Sequence, residues 1–276
     1  MTSNAMRRAV VLPGGTAAEQ LELGTLAERA GWDGVFAWEA AYGVEPWSLL
    51  AAIAVRTNAV RLGTMLTPLP WRRPWKVASQ VATLDQLSGG RAILAVGVGA
   101  TETELPDTGE VTDIRGRADM LDEGIDLIRT LWEGGGRYEG EHYRFHSGRM
   151  DLTAAARPVQ ERIPLWVVGV WPSGRSMRRV LRCEGLIPQY RLAGREAGPD
   201  DARAARDWLI ARGASPRIDL IADGETPAAD RAAARQQVGA WAEAGCTWWL
   251  ETRWGVHEDL TARLAAMRER IEAGPP

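Results

Sequence analysis

The sequence predicts a (β/α)8 barrel of the TIM type, built as a single domain. Short β-branched or apolar runs alternate with amphipathic helical stretches along the chain, these units number eight, and 276 residues accommodate eight of them. A doubly wound open sheet, with about five to seven strands, fits that count less well.

The elements follow in order. Ala9 to Leu12 is the first strand, and Thr16, with Glu19 three residues on, caps a helix that runs to Ala30 and is closed by Gly31. Strand Val35 to Glu39 leads to helix Pro46 to Arg56, strand Val60 to Leu66 to helix Pro74 to Leu87, and strand Ala92 to Val98 to helix Arg115 to Trp132. That fourth helix carries an apolar stripe of Met120, Leu121, Ile125, Ile128 and Leu131. An excursion from about Arg137 to Glu161 separates helix four from strand five. Strands Leu165 to Val170, Leu186 to Pro188, Arg217 to Ala222 and Thr247 to Glu251 then alternate with helices Ser173 to Cys183, Asp200 to Arg212, Ala228 to Ala244 and Glu258 to Ala273. Ser3-Asn4-Ala5-Met6 reads as a tag remnant or disordered start, so residues 1–6 are set apart from a domain spanning 7–276.

Composition narrows the function. A net charge of -3 without a basic block argues against a nucleic-acid partner, and no apolar run reaches the roughly 20 residues of a membrane span. Small molecules are the expected partners. Cys183 and Cys246 are too few for a disulfide framework, which points to a cytoplasmic protein with reduced thiols. The 13 tryptophans, against 4 tyrosines and 2 phenylalanines, offer flat surfaces for a core or for the walls around a planar ligand.

In such barrels the chemistry sits at the C-terminal ends of the strands. That rule selects Pro13 to Gly15, Glu39, Met65 to Pro68, Gly97 to Glu102, Gly169 to Gly174, Gln189 to Arg191, Asp223 to Thr226 and Glu251 to Trp254. Alternation groups Val35, Ala37 and Glu39, then Ala95, Gly97 and Gly99, then Trp249, Glu251 and Arg253. Read as inward faces, these place Glu39, Glu251 and Arg253 at the barrel rim as catalytic candidates, with an ion pair between Glu251 and Arg253 as the structural reading of the last two. Glycines at 97 and 99 suggest a flat ligand close on the backbone. Ser173, Gly174 and Arg175 open a helix with a hydroxyl, free N–H groups and a guanidinium, which suits a phosphate. His142, His146 and His257 show no metal-ligand spacing, so no metal is expected. The Leu87-Ser88-Gly89-Gly90-Arg91 turn lies at the opposite end of the barrel and reads as structural. Without self-contained acid/base or nucleophilic machinery, the chemistry falls to a cofactor.

Those residues resemble the luciferase-like family of flavin-dependent oxidoreductases. The likeness runs through Leu26 to Phe36, through Leu49 to Gly63 with Arg56-Thr57, and through Thr83-Leu84-Asp85-Gln86-Leu87-Ser88-Gly89-Gly90-Arg91. It continues through Gly97-Val98-Gly99, Asp122-Glu123-Gly124 and Pro164 to Gly169. The resemblance implies FMN or the deazaflavin coenzyme F420 at the barrel mouth, a non-prolyl cis peptide at Met65-Leu66, and a phosphate turn within Gly169 to Ser176. It assigns cofactor contacts to Met65, Leu66, Thr67, Gly97, Gly99, Gly169, Trp171, Ser173, Gly174 and Arg175, with Trp38, Trp71 and Trp254 as substrate-pocket walls. Family members often carry histidines after the strand-two carboxylate; here Ala40-Ala41-Tyr42 follow Glu39. The expected activity is hydride transfer between coenzyme F420 and a small organic substrate, in a homodimer. The alternatives are an FMN-dependent monooxygenase using O2 and, in another class, a non-catalytic flavin-binding protein.

Overall fold

The computed structural model describes residues 5–100, 108–148, 155–254 and 259–276. Ser3, Asn4, Thr101, Glu102, His257 and Glu258 lie outside the described residues. In chain order the strands are β1 (Arg7–Val11), β2 (Gly34–Ala37), β3 (Arg61–Thr64), β4 (Thr67–Pro68), β5 (Ala92–Gly97), β6 (Arg137–Glu139), β7 (Arg144–His146), β8 (Leu165–Trp171), β9 (Gly185–Tyr190), β10 (Asp219–Gly224) and β11 (Trp248–Glu251). The helices are α1 (Ala17–Arg29), α2 (Pro46–Ala54), α3 (Pro74–Ser88), α4 (Ile114–Trp132), α5 (Gly174–Val180), α6 (Pro199–Ile210), α7 (Arg231–Glu243) and α8 (Leu260–Glu272).

The parallel strands run β1-β2-β3-β5-β8-β9-β10-β11, and pairing of Arg7 with Trp248 returns the last strand to the first. The eight-unit barrel predicted from the sequence is therefore closed. β4 is a two-residue continuation of the third strand beyond the cis Met65–Leu66 bond, and its Thr67 and Pro68 pair with Val96 and Gly97. The excursion contains the antiparallel β6–β7 hairpin, in which Arg137 pairs with His146.

Local chemistry sets the boundaries. Thr16 forms the expected capping box with Glu19, and Gly89, at φ 66°, ends α3 in the left-handed region. β10 begins at Asp219 rather than at Arg217, because Ile218 N–H turns back onto the Ser215 carbonyl. α7 begins at Arg231 rather than at Ala228, where the Asp230 carboxylate caps Ala232 and Ala233. Met6, set apart with the start, is buried against the core.

Two cores lie on opposite faces of the strands. The barrel interior holds Ala9, Val11, Ile93, Ala95, Ile187, Ile221 and Leu250 around a cluster of Phe36, Trp166 and Trp248. Phe36 stacks on Trp166 with centroids 5.3 Å apart, and Trp166 meets Trp248 edge-on at 5.2 Å. Glycines make room for these rings. A Cβ on Gly63 would lie 2.9 Å from Phe36, and one on Gly185 would lie 2.3 Å from Trp166. Val35, Ala37 and Trp249 instead belong to the larger layer between strands and helices. The inward reading of the Val35 and Trp249 faces is thus reversed, while that of Ala95 and Gly97 stands.

The Leu87–Arg91 turn is structural, as its position suggests. Arg91 is buried and donates to the carbonyls of Ala54, Thr57, Val60 and Ser88. Fully buried Asp85 accepts from Val159 N–H, Gln160 N–H and the Gln160 side chain, which ties α3 to the segment entering β8.

Candidate active site

The mouth is floored by Met65, Leu66 and Val168, which pack on top of the interior cluster. From there the chain follows β4 into a 3-10 turn over Leu69–Trp71 and emerges at Arg72 in extended conformation. This detour carries the Arg72 guanidinium over the end of β2. Its Nε donates to Glu39 Oε1 at 2.5 Å, and its Nη2 donates to Glu45 Oε1 at 3.0 Å. Glu45 also caps α2, accepting Ser48 N–H at 2.7 Å. Arg72 therefore bridges two carboxylates from one loop.

The Glu39 side chain is 3% exposed, and its second oxygen, Oε2, is buried without a hydrogen-bond partner among the described residues. Burial pushes its pKa above the ordinary value, against the opposing pull of Arg72 and the Thr67 hydroxyl and with a further upward push from the Glu45 charge. Burial also pushes Glu45 upward, but Ser48 and Arg72 outweigh it and hold that carboxyl below its usual range. A cleft of about 410 Å³ opens here, lined by Glu39, Glu45, Trp71, Arg72 and Glu110 among others. A second cleft of about 190 Å³ adjoins it between Gly14, Trp38 and Tyr42.

Across the mouth, Trp254 Nε1 donates to Asp223 Oδ2 at 3.2 Å, and burial raises the Asp223 pKa. Thr252 Oγ1, at the end of β11, and Trp71 Nε1 are buried without a hydrogen-bond partner among the described residues; the Tyr190 hydroxyl is also unpaired there, but its register partner is Trp171, on the helix side of the strands. Among the described residues the mouth thus presents two unpaired donors, on Thr252 and Trp71, and one unpaired acceptor, on Glu39.

Several predicted site residues are placed differently from the sequence reading. Glu251 and Arg253 form no pair with each other. Glu251 lies on the helix-facing side, 2% exposed, accepting from Thr226 N–H at 2.6 Å, Thr226 Oγ1 at 2.7 Å and Trp249 Nε1 at 3.1 Å, with Arg270 at 3.6 Å. Arg253 faces Glu225 at 3.7 Å. Trp171 packs edge-on against Trp208, on the helix side of β8 rather than over the mouth.

The glycines also serve packing. The space over Gly97 belongs to Leu66 and Val168, that over Gly169 to Leu186 and Met177, and that over Gly99, at φ 81°, to Pro68 and Arg117. Trp38 and Trp254 stand half-open on the rim, Trp71 lines the larger cleft, and Thr67 bonds Thr64 at 3.0 Å. At the β8–α5 turn, the Ser173 side chain makes no cap bond, and Arg175 is two-thirds exposed and pairs with Asp119 at 3.2 Å. Cis Trp171–Pro172 precedes this turn.

The site also includes residues absent from the sequence-derived site. Arg72 and Glu45 lie in loops with no regular pattern. Arg117 is fully buried in the first turn of α4, where its guanidinium grips the Val98 and Val111 carbonyls. Asp223 was within reach of the strand-end rule, which selected its segment. Away from the mouth, Glu123, Glu141 and His142 converge, but the Glu123 carboxylate is occupied by the N–H groups of Glu141, His142 and Tyr143.

The chain belongs to the luciferase-like monooxygenase family, whose pattern matches residues 2–273. It is 32% identical over 255 residues to the F420-dependent glucose-6-phosphate dehydrogenase of Intrasporangium calvum, covering 85% of this chain and 72% of that one. Among solved structures, an F420-dependent secondary alcohol dehydrogenase in complex with an F420-acetone adduct superposes with a TM-score of 0.75 at 18% identity, covering 99% of this chain and all of that one. The oxygenating constituent of 3,6-diketocamphane monooxygenase of Pseudomonas putida, in complex with FMN, superposes at 0.68 with 17% identity, covering 96% of both. At those identities the structural likeness speaks to the fold.

Proposed function

We propose that the protein is an oxidoreductase that transfers a hydride between coenzyme F420 and a small organic substrate. The observation that carries this reading is the Glu39–Arg72 pair, with one buried carboxylate oxygen left unpaired among the described residues, at the mouth of a barrel whose relatives use this deazaflavin.

The residues at the mouth suit the cofactor. The Thr252 hydroxyl, unpaired among the described residues, can meet the edge of a polar ring, Met65, Leu66 and Val168 give its apolar face a seat, and the exposed Ser173–Arg175 turn can take a phosphate. When bound, the deazaflavin accepts or returns a hydride at its ring carbon. Glu39 Oε2 takes the proton of a substrate alcohol as the carbon gives up its hydride, and returns it in the reverse direction. Arg72 holds the carboxylate in place and favours its ionised form. Trp38, Trp71 and Trp254 limit the access of water to the mouth.

The FMN-bound neighbour keeps an FMN-dependent monooxygenase as the second reading. Titration of the purified protein with F420 and, separately, with FMN decides between them. Tight binding of the deazaflavin alone supports hydride transfer, tight binding of FMN alone overturns it in favour of the oxygenase, and binding without turnover of any acceptor supports a flavin-binding protein. Glu39→Gln lowers turnover by about tenfold or more while the cofactor stays bound; unchanged turnover removes Glu39 from the mechanism. On the same reading the protein works in the cytoplasm as a homodimer, which sizing by light scattering checks for the oligomer. Among the described residues no helix is long and apolar enough to cross a membrane.

A further inference from the structure

The larger cleft beside the mouth has an unusual balance of charge. Three carboxylates line it, Glu39, Glu45 and Glu110, against one guanidinium, and that guanidinium is already committed to Glu39 and Glu45. Arg117, which acts electrostatically on Glu110, is fully buried and turned onto the Val98 and Val111 carbonyls. Arg73 points away over the Trp75 ring, 5.9 Å from its centroid. A phosphorylated substrate would therefore find no uncommitted cation in the described lining, and three negative charges instead.

A second observation shows what the cleft can hold. Among the described residues, Glu39 Oε2, on a side chain 97% buried, has no hydrogen-bond partner, and neither does Trp71 Nε1 in the same lining. One oxygen needs a donor and one N–H needs an acceptor. A single hydroxyl group is both, whereas an ammonium cannot accept and a carboxylate cannot donate. Farther out, exposed Glu110 would welcome a positive charge, and half-buried Glu45, although bonded to Arg72 and Ser48 N–H, adds its negative charge to the same field.

We propose that the substrate is an amino alcohol, with its hydroxyl on Glu39 and Trp71 and its protonated amine facing Glu45 and Glu110. This rests on the oxidoreductase reading of the same site and specifies its substrate class. It separates the protein from its relative, the F420-dependent glucose-6-phosphate dehydrogenase, on the charge of the substrate. The volume of about 410 Å³ suits a compact ligand of that kind.

The test is calorimetric or ligand-observed NMR titration of the full chain, with and without oxidised F420, at pH 7.5 and low salt. The probes are trans-4-aminocyclohexanol, cyclohexane-1,4-diol and glucose 6-phosphate. The amine is expected to bind about tenfold more tightly than the diol, a difference of about 1.4 kcal/mol, and the phosphate more weakly than either. That preference shrinks in 0.5 M salt and falls in Glu110→Gln, whose exposed side chain makes the change safe for folding, as well as in Glu45→Gln. Equal binding of amine and diol, or tighter binding of glucose 6-phosphate, overturns the proposal. Bound F420 with no amine preference defeats this inference alone, whereas an amine preference in a protein that binds no F420 defeats the oxidoreductase reading alone.

Discussion

Replacing Glu251 separates a structural carboxylate from a chemical one. Its four neighbours, Thr226 N–H and Oγ1, Trp249 Nε1 and the Arg270 guanidinium, are all nearly inaccessible to water, and Arg270 also donates to Thr226 Oγ1 at 2.9 Å. Truncation to alanine strands three buried donors and a buried guanidinium. Breaking a buried pair costs about 3–5 kcal/mol, with each stranded donor within that range or adding to it. We expect Glu251→Ala to lose about 4 kcal/mol, which for a chain of this size lowers Tm by roughly 8–16 °C. Glu251→Gln keeps an acceptor for Thr226 but removes the charge opposite Arg270, so about 2 kcal/mol is expected. Scanning calorimetry or urea unfolding reads both losses, and F420 affinity and turnover per folded molecule at 25 °C should stay within about twofold of the parent, because surface and interior losses of this kind act through stability. A Glu251→Gln protein with parental Tm and turnover reduced more than tenfold would refute the reasoning and return Glu251 to the catalytic set.

Other perturbations follow from the same geometry. Because the Glu39 carboxyl is raised above its ordinary value, the deprotonated base is lost as pH falls through that raised value, so the acidic limb of kcat/KM should lie above pH 4.5. Arg72 lowers the same group, so Arg72→Gln should move that limb to higher pH; Glu45, Glu110 and Tyr42 also face this carboxyl from the surrounding lining, and a limb unmoved in the variant would show that Arg72 does not act through Glu39. Gly99→Ala places a Cβ 2.8 Å from Pro68 at φ 81°, which should cost about 1–3 kcal/mol and distort the Trp71 wall; an unchanged Tm would contradict the close packing described. Arg91→Lys cannot reach four carbonyls with one ammonium and should cost about 2–3 kcal/mol in urea unfolding without changing cofactor affinity.

Much of the architecture was legible because the alternation of elements and the strand-end rule depend only on local pattern. Thr16 with Glu19, Gly89 and the glycine-rich turn before Arg91 act within a few residues, and each does in the fold what its type suggests. Glu39 and the bond at Met65–Leu66 were reached by position on a strand end together with the family resemblance. Arg72 and Arg117 were not legible. A buried arginine whose partners are a carboxylate 33 residues away, or the carbonyls of another loop, leaves no period in the sequence.

The misreading of Glu251 has a more general cause. In a closed parallel barrel both faces of every strand are apolar, one against the interior and one against the helices, so hydrophobic alternation does not distinguish lumen from layer. Val35, Ala37 and Trp249 are as buried as Phe36 and Trp248. The glycines resolve the ambiguity. Gly63 and Gly185 lie against the interior rings of Phe36 and Trp166 at distances below 3 Å that a Cβ could not take without a shift, and Gly34 lies against Trp248 at a tight 3.2 Å. In β3 and β9 the glycine facing a ring marks the lumen side, whereas Gly224 on β10 faces the Trp249 ring in the outer layer, so a glycine identifies the lumen only when the ring it faces is itself interior. Counting by twos from Gly34 puts Phe36 inside and Val35 and Ala37 outside, and counting from Trp248 puts Leu250 inside and Glu251 outside. On that parity Thr252, the next inward position, reaches the mouth in place of Glu251, and its buried hydroxyl, without a hydrogen-bond partner among the described residues, is the feature of β11 that a ligand would find.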